Sequence, residues 1–144
     1  TVSVNGENQM LKGNRFIWYN WIKEAQSTVV EKEDSYVFKG SMKGFKHIGE
    51  RTHTRTVTKF KGRLEWHIED EISPLDTDTM IQYWNVNPAV ADQIEIKAFS
   101  LDTELVKKVD TLWYSGYYGV KVPSLRTSFE TTSPNIKTTI TILT

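Results

Sequence analysis

The sequence predicts an all-β protein, an antiparallel β-sandwich of about ten strands with at most one or two short helices. Three observations support this prediction. Polar and apolar residues alternate with a period of two in several segments, threonine and other β-branched residues are frequent in them, and proline or glycine turns separate them. The 144 residues suffice for one domain with its own core, and no repeat or linker divides them.

The segments that alternate most clearly are predicted to be strands with one buried face. In the first of them, threonines share one face, while Arg51, His53 and Arg55 share the other. In the second, the apolar residues from Leu64 to Ile72 share a face, and glutamates with a histidine occupy the opposite one. The predicted strands cover residues 51–60, 63–72, 79–86, 93–100 and 136–143.

Turn residues separate these strands. Lys61-Gly62 predicts a tight hairpin, and the prolines of Ser73-Pro74 and Asn87-Pro88 end two strands because proline cannot donate to a strand ladder. Helical spacing occurs mainly over 15–25 and weakly over 102–109. Both stretches are too short to organise the domain, so they account for the short helices of the prediction.

Composition excludes several classes of protein. With 38% hydrophobic and 25% charged residues and no cysteine, the chain is neither collagen-like nor disordered nor a disulfide-stapled mini-protein. Lys plus Arg equals Asp plus Glu at 18 each, so no overall charge attracts nucleic acid or an anionic bilayer. Apolar runs are far shorter than a membrane span. We therefore expect neither a nucleic-acid nor a membrane partner.

Charge is unevenly distributed along the chain. Residues 39–63 hold eight basic residues and one acidic residue, whereas residues 65–78 hold six acidic residues and neither Lys nor Arg. If the two segments pair as a hairpin about Gly62, opposite charges face each other across the strands. Alternatively, Arg51 and Arg55 form a cationic strip for a carboxylated or sulfated ligand, because guanidinium matches such oxyanions in a bidentate way.

Aromatic residues cluster in the stretch LWYSGYYGV. Tyr117 and Tyr118 are candidates for stacking on sugar rings, because a tyrosine on a loop presents an apolar ring and keeps its hydroxyl in water. Trp66, Trp84 and Trp113 are expected to pack in the core instead.

The search for catalytic and metal-binding residues gives none. The three histidines, His47, His53 and His67, lack the close spacing of a zinc site, and no nucleophile or phosphate-loop motif occurs. The carboxylates from Glu69 to Glu71 are typical of a solvated strand face rather than a glycosidase pair. We predict no catalytic residue, no metal ligand and no cofactor in this chain.

The order of several short motifs resembles the heparinase II/III-like polysaccharide lyases. Thr1 to Gln9 resembles the segment that contains their His-Asn-Thr, and the stretch from His53 to Val57 is similar to their HxR strand. Trp66 to Ile72 resembles the next strand of that family. The stretches 113–119 and 129–132 are similar to its closing portion. Two departures are Asn5, where Asp is usual, and Trp84-Asn85, where relatives often carry a histidine.

The resemblance implies an (α/α) toroid followed by β-sandwich layers, in an enzyme that cleaves glycosaminoglycans and other uronic-acid polysaccharides by β-elimination. In such enzymes the toroid and early strands supply the catalytic residues and, in some, a structural zinc. None of those positions has a counterpart here, so residues 1–144 are expected to be a single non-catalytic sandwich domain, a fragment of a larger lyase that begins just after the His-Asn pair. A periplasmic or secreted parent is implied by the resemblance alone.

These interpretations differ in what they predict for the surface. A domain taken from a larger lyase should expose an apolar patch where its N-terminal toroid packs, and the free chain should dimerise or aggregate through it. It would meet acidic polysaccharide through Arg51, Arg55, Tyr117 and Tyr118. The alternative is a stand-alone carbohydrate-binding or adhesion module with both tyrosines on one flat face. A structural sandwich domain is a third interpretation.

Overall fold

Two antiparallel β-sheets pack face to face in the computed structural model, which describes residues 1–143. The all-β sandwich predicted from the sequence is confirmed. The elements in chain order are β1 (Val2–Val4), β2 (Leu11–Lys12), β3 (Trp18–Tyr19), β4 (Glu24–Glu31), β5 (Ser35–Gly44), a 3-10 helix (Lys46–Ile48), β6 (Arg51–Phe60), β7 (Glu65–Ser73), β8 (Met80–Val86), a second 3-10 helix (Pro88–Gln93), β9 (Ile94–Ser100), β10 (Thr103–Glu104), β11 (Lys108–Tyr114), β12 (Val122–Thr131) and β13 (Asn135–Ile142).

The two sheets differ in width. The larger has seven strands in the order β10-β9-β13-β7-β6-β5-β4, and the smaller has four in the order β1-β8-β12-β11. Strands β4 to β7 form a meander, because a short connection joins each strand to the next and the two pair antiparallel. The chain then crosses to the smaller sheet for β8, returns for β9 and β10, crosses again for β11 and β12, and returns for β13. In the larger sheet, β13 lies between β7 and β9. Strands β2 and β3 form a separate two-stranded ribbon.

The β6–β7 hairpin forms about the predicted turn. Gly62 has a φ of +70°, a backbone conformation that suits glycine because a side chain there crowds the following carbonyl. The register pairs Arg55 with Asp70 and Thr56 with Glu69. The predicted hairpin therefore forms, but among its paired positions only Arg55 faces an acidic residue, Asp70, because the paired glutamates of β7 face threonines of β6. This register decides which side chains meet between the sheets.

The core lies between the sheets and receives side chains from both. Burying these apolar groups is worth about 25 cal/mol per Å² of surface removed from water, which is the main force holding the sheets together. The fully or nearly fully buried apolar residues are Val2, Val4, Phe45, Ile68, Ile72, Leu75, Met80, Ile96, Ala98, Phe129 and Ile136.

The helical spacing over 15–25 and 102–109 does not produce helices. Arg15 and Asn20 have φ values of 54° and 56°, which interrupt a right-handed helix, and Phe16 is 95% exposed, so no apolar stripe is buried there. In the second stretch, Leu101 and Asp102 form a turn with positive φ between β9 and β10. Phe16, Ile17 and Trp21 of the first stretch are therefore surface residues, whereas Leu105 of the second packs partly buried against the core without forming a helix.

One end of the larger sheet extends beyond the smaller one. Phe38, Gly40 and Met42 of β5 pair with Val57, Arg55 and His53 of β6, which places them on the inner face of the sheet. Yet Phe38 remains 37% exposed, and every residue of β4 is exposed. The inner face of β4 and β5 is thus left open, and β6 separates it from the closed core.

Candidate functional site

A buried carboxylate lies at the boundary between the closed core and this open face. Asp70 of β7 is completely buried. Its Oδ1 receives hydrogen bonds from His53 Nε2 at 2.7 Å and Arg55 Nε at 2.7 Å, and its Oδ2 receives one from Arg55 Nη2 at 2.8 Å. The Arg55 guanidinium therefore binds the carboxylate in a bidentate way, with two parallel hydrogen bonds, which is the strongest arrangement for such a pair.

Gln82 extends this network into the smaller sheet. Its Nε2 donates to Asp70 Oδ2 at 2.7 Å, and its Oε1 accepts from Trp84 Nε1 at 2.8 Å and from Thr138 Oγ1 at 2.7 Å. Because the nitrogen donates to a carboxylate and the oxygen accepts two bonds, the orientation of the amide is fixed. Side chains of β6, β7, β8 and β13 are thereby joined in one polar cluster between the sheets.

Asp70 is ionised despite its burial. Burial alone would raise the pKa of its carboxyl group, but the hydrogen bonds from His53 and Arg55, the positive charge of Arg55 and the bond from Gln82 outweigh it and hold the pKa well below its usual range. The cluster therefore contains a permanent ion pair. Such a pair is costly to break, because removing one partner leaves the other charge buried without compensation.

One nitrogen of the Arg55 guanidinium, Nη1, is not used by Asp70. No hydrogen bond within residues 1–143 engages this nitrogen, and the Arg55 side chain is 23% exposed. The guanidinium carbon lies 5.2 Å from the centroid of the Trp84 ring, a cation–π distance that fixes its plane further. Arg55 and His53 line an open groove of about 370 Å³ over the inner face of β4 and β5.

Arg51 is held at a different place. Its Nη2 lies 2.8 Å from Asp78 Oδ2, while Asn5 Nδ2 donates to Asp78 Oδ1 at 2.8 Å. Asn5 also accepts from the backbone N–H of Thr79 at 2.8 Å, so these groups tie the turn after β1 to the loop before β8. Burial counts little for Asp78: the hydrogen bonds from Arg51 and Asn5 lower the pKa of its carboxyl group.

The two tyrosines lie at a third place, on the loop between β11 and β12. Tyr117 is 80% exposed and Tyr118 is fully exposed. Trp113, expected in the core, is 57% exposed with Lys121 Nζ 4.5 Å from its ring centroid, so that expectation is wrong. The reason is that β11 is the edge strand of the smaller sheet.

The structure therefore does not gather the four predicted substrate-binding residues into one pocket. Arg51 and Arg55 share a strand face, as predicted, but each is paired with a different carboxylate, and the tyrosines belong to another hairpin. Sequence reasoning missed Asp70 and Gln82 as the centre of a polar cluster. A signal was present, since both are polar residues at inward positions of otherwise apolar strand faces.

The three histidines lie apart. His47 is close to Glu7, with Nε2 3.5 Å from Oε2; His53 binds Asp70; and His67 lies on an exposed position 2.8 Å from Glu65. Within residues 1–143, no three His, Cys, Asp or Glu side chains are grouped so that they could hold a metal ion. The zinc that the resemblance implies for the parent enzyme thus has no set of ligands among the described residues.

Comparison with known proteins gives one informative finding. A protein-family model described as Heparinase II/III-like, C-terminal, matches residues 1–140. No curated protein and no solved structure matches the chain significantly.

Proposed function

Because the chain belongs to the heparinase II/III-like C-terminal family, which spans residues 1–140, we propose that it is the non-catalytic β-sandwich part of a polysaccharide lyase. The substrate of that lyase is an acidic polysaccharide containing uronic acid, and the reaction is β-elimination. The parent would remove the proton on C5 of the uronate and expel the group on C4, with its reactive groups on another domain.

The family match is the single observation that carries this proposal, and the internal pairing of the polar groups supports the non-catalytic role. A general base needs a free nitrogen or oxygen within reach of the substrate proton. Asp70 is completely buried, and His53 directs one ring nitrogen at it. The ion pair therefore serves as a rigid support within the larger sheet that holds Arg55 in place, and the hydrogen bond from Gln82 joins it to the smaller sheet.

Exposed apolar residues support a partner domain. Phe16 and Trp21, which flank β3, are 95% and 65% exposed. Large apolar side chains that are this exposed indicate a contact with another protein surface. We assign this surface to the helical toroid of the parent. Among the described residues, no helix is long and apolar enough to cross a membrane.

In the parent, Arg51, Arg55, Tyr117 and Tyr118 would support the substrate cleft or the contact between domains. Arg55 and the tyrosines have exposed polar ends that suit sugar carboxylates and hydroxyls. Localisation in the periplasm or outside the cell belongs to the same proposal, since acidic polysaccharides of this kind are extracellular polymers.

The proposal is tested on the longer natural protein that contains this chain. With heparan sulfate, chondroitin, hyaluronan and alginate as substrates, we expect the ultraviolet absorbance of unsaturated uronate to rise with at least one of them. Tyr118→Ala should raise KM and leave the melting temperature unchanged, because the side chain is fully exposed. Absence of unsaturated product with all four polymers would contradict the proposal.

The stand-alone carbohydrate-binding module remains the second candidate, and the exposure of Tyr117 and Tyr118 favours it. It predicts glycan binding by the free chain, with no lyase activity in any longer protein that contains it. The same product assay therefore separates the two candidates.

A further inference from the structure

The groove over the inner face of β4 and β5 combines an apolar floor with a cationic wall. It measures about 370 Å³, and its floor includes Phe38, Gly40 and Met42 while Arg55 and His53 form the side next to the core. Cavities of this size, mostly apolar with a few placed polar groups, are typical of small-ligand sites.

Glycine at position 40 shapes the floor. A Cβ atom there would lie 2.7 Å from Cζ of Phe38, so the tip of the Phe38 ring rests directly above Gly40. The ring is 37% exposed even so. A partly exposed aromatic ring at a fixed place on a strand is suited to the apolar face of a sugar, because both surfaces lose little freedom on contact.

The wall offers a directed hydrogen-bond donor. Asp70 occupies Nε and Nη2 of Arg55 and leaves Nη1 without a partner among residues 1–143. The carboxylate of Asp70 compensates the positive charge of Arg55. Nη1 of Arg55 would therefore hold an anion mainly through directional N–H hydrogen bonds. The pair fixes the guanidinium before a ligand arrives, which lowers the entropy lost on binding.

We propose that this groove binds one anionic sugar residue, with its carboxylate or sulfate on Arg55 Nη1 and its apolar ring face on Phe38. The assignment rests on the proposed function, which supplies an acidic polysaccharide. It differs from the predicted cationic strip because Arg51 is not part of it: Arg51 is paired with Asp78, away from the groove.

The test is calorimetric titration of the 144-residue chain with three hexasaccharides: heparin-derived, the same after desulfation, and neutral cellohexaose as a control. We expect saturable binding of at least one anionic hexasaccharide and none of the neutral one. Stronger binding of the desulfated probe would identify carboxylate as the group on Arg55, and stronger binding of the heparin probe would identify sulfate.

Two variants alter the groove without changing a charge. Phe38→Ala removes the stacking surface and should weaken binding about tenfold. Gly40→Ala should weaken it as well, because the new methyl group displaces the Phe38 ring tip. Leu101→Ala is the control, since it deletes an apolar side chain at an 85% exposed position at the opposite end of the larger sheet from the groove and should leave binding unchanged.

Arg55→Lys keeps the positive charge but removes the Nη1 donor, and it should weaken binding of the anionic hexasaccharide. Unchanged binding in both Phe38→Ala and Gly40→Ala would overturn the groove proposal, as would loss of binding only in Tyr118→Ala, which would place the glycan on the β11–β12 loop. Failure of the wild-type chain to bind any anionic probe would also overturn it. None of these results decides whether the longer protein forms unsaturated uronate, so the two proposals fail separately.

Discussion

Asp70 is the residue on which the interior polar groups depend, because hydrogen bonds from three side chains converge on its two oxygens. Replacing it with Asn leaves Arg55 without a negative partner in a largely buried position. We expect Asp70→Asn to lower the free energy of unfolding by about 3 kcal/mol, the cost of breaking a buried pair from one side. Urea denaturation would measure it. If the free energy of unfolding fell by less than about 1 kcal/mol, the Asp70–Arg55 ion pair would stabilise the fold no more than an exposed ion pair does.

The lowered pKa of Asp70 predicts how stability changes with pH. Since the folded-state pKa lies below the unfolded value of about 3.9, the carboxylate contributes stability above that value and loses it progressively as the pH falls towards the folded pKa. The free energy of unfolding should therefore drop with acidification below about pH 4, and more steeply in the wild type than in Asp70→Asn. Equal slopes in the two proteins would contradict this assignment.

Gln82 provides a test with the opposite pH dependence. Its Nε2 lies 2.7 Å from Asp70 Oδ2, so Gln82→Glu would place a second carboxyl group against a buried carboxylate. Two such groups cannot both ionise without strong repulsion. We expect this variant to be destabilised by about 2 kcal/mol at pH 7 and to recover part of that loss on mild acidification. Denaturation curves at pH 5 and pH 7 would show it, and greater loss at pH 5 would argue against the geometry.

At the scale of elements, the β6–β7 hairpin was the most predictable part of the fold. Alternation put Arg51, His53 and Arg55 on one face, and the turn at Gly62 set the pairing of basic and acidic segments. The network itself was not predictable, because Gln82 and Thr138 join it from strands distant in sequence. Only the packing of one sheet on the other brings them together.

The turn of this hairpin can be tested directly. Gly62 has a φ of +70° and open space where a Cβ would lie, so Gly62→Ala should cost only the strain of the left-handed backbone, about 1 kcal/mol. Gly62→Asn is the matched control, because asparagine tolerates this conformation better and should recover part of the loss. Thermal unfolding would rank the three proteins, and no difference among them would contradict the turn geometry.

Other elements show where local patterns mislead. The segment 15–25 has helical spacing, yet its apolar residues lie exposed around the β2–β3 ribbon. Trp113 was expected in the core, but β11 is an edge strand whose faces are poorly covered. In both cases the missing information is what covers a face, which periodicity alone does not encode.

At the scale of the whole molecule, the segment around β3 leaves large apolar side chains uncovered, among them Phe16 and Trp21. The expected dimerisation of the free chain through such groups follows from the cost of exposing them to water. Sedimentation velocity should show dimers that increase with concentration, and a double variant with Phe16→Ser and Trp21→Ser should remain monomeric. A monomeric wild-type chain at high concentration would contradict this expectation.

The central claim is that this chain supports a lyase without performing the elimination itself. The most direct measurement is the ultraviolet absorbance of unsaturated uronate after incubation of the purified 144-residue chain with the polymer that the longer protein cleaves. The account predicts no increase above the enzyme-free control, while the longer protein produces a steady rise. An increase that scales with the concentration of the free chain would contradict it.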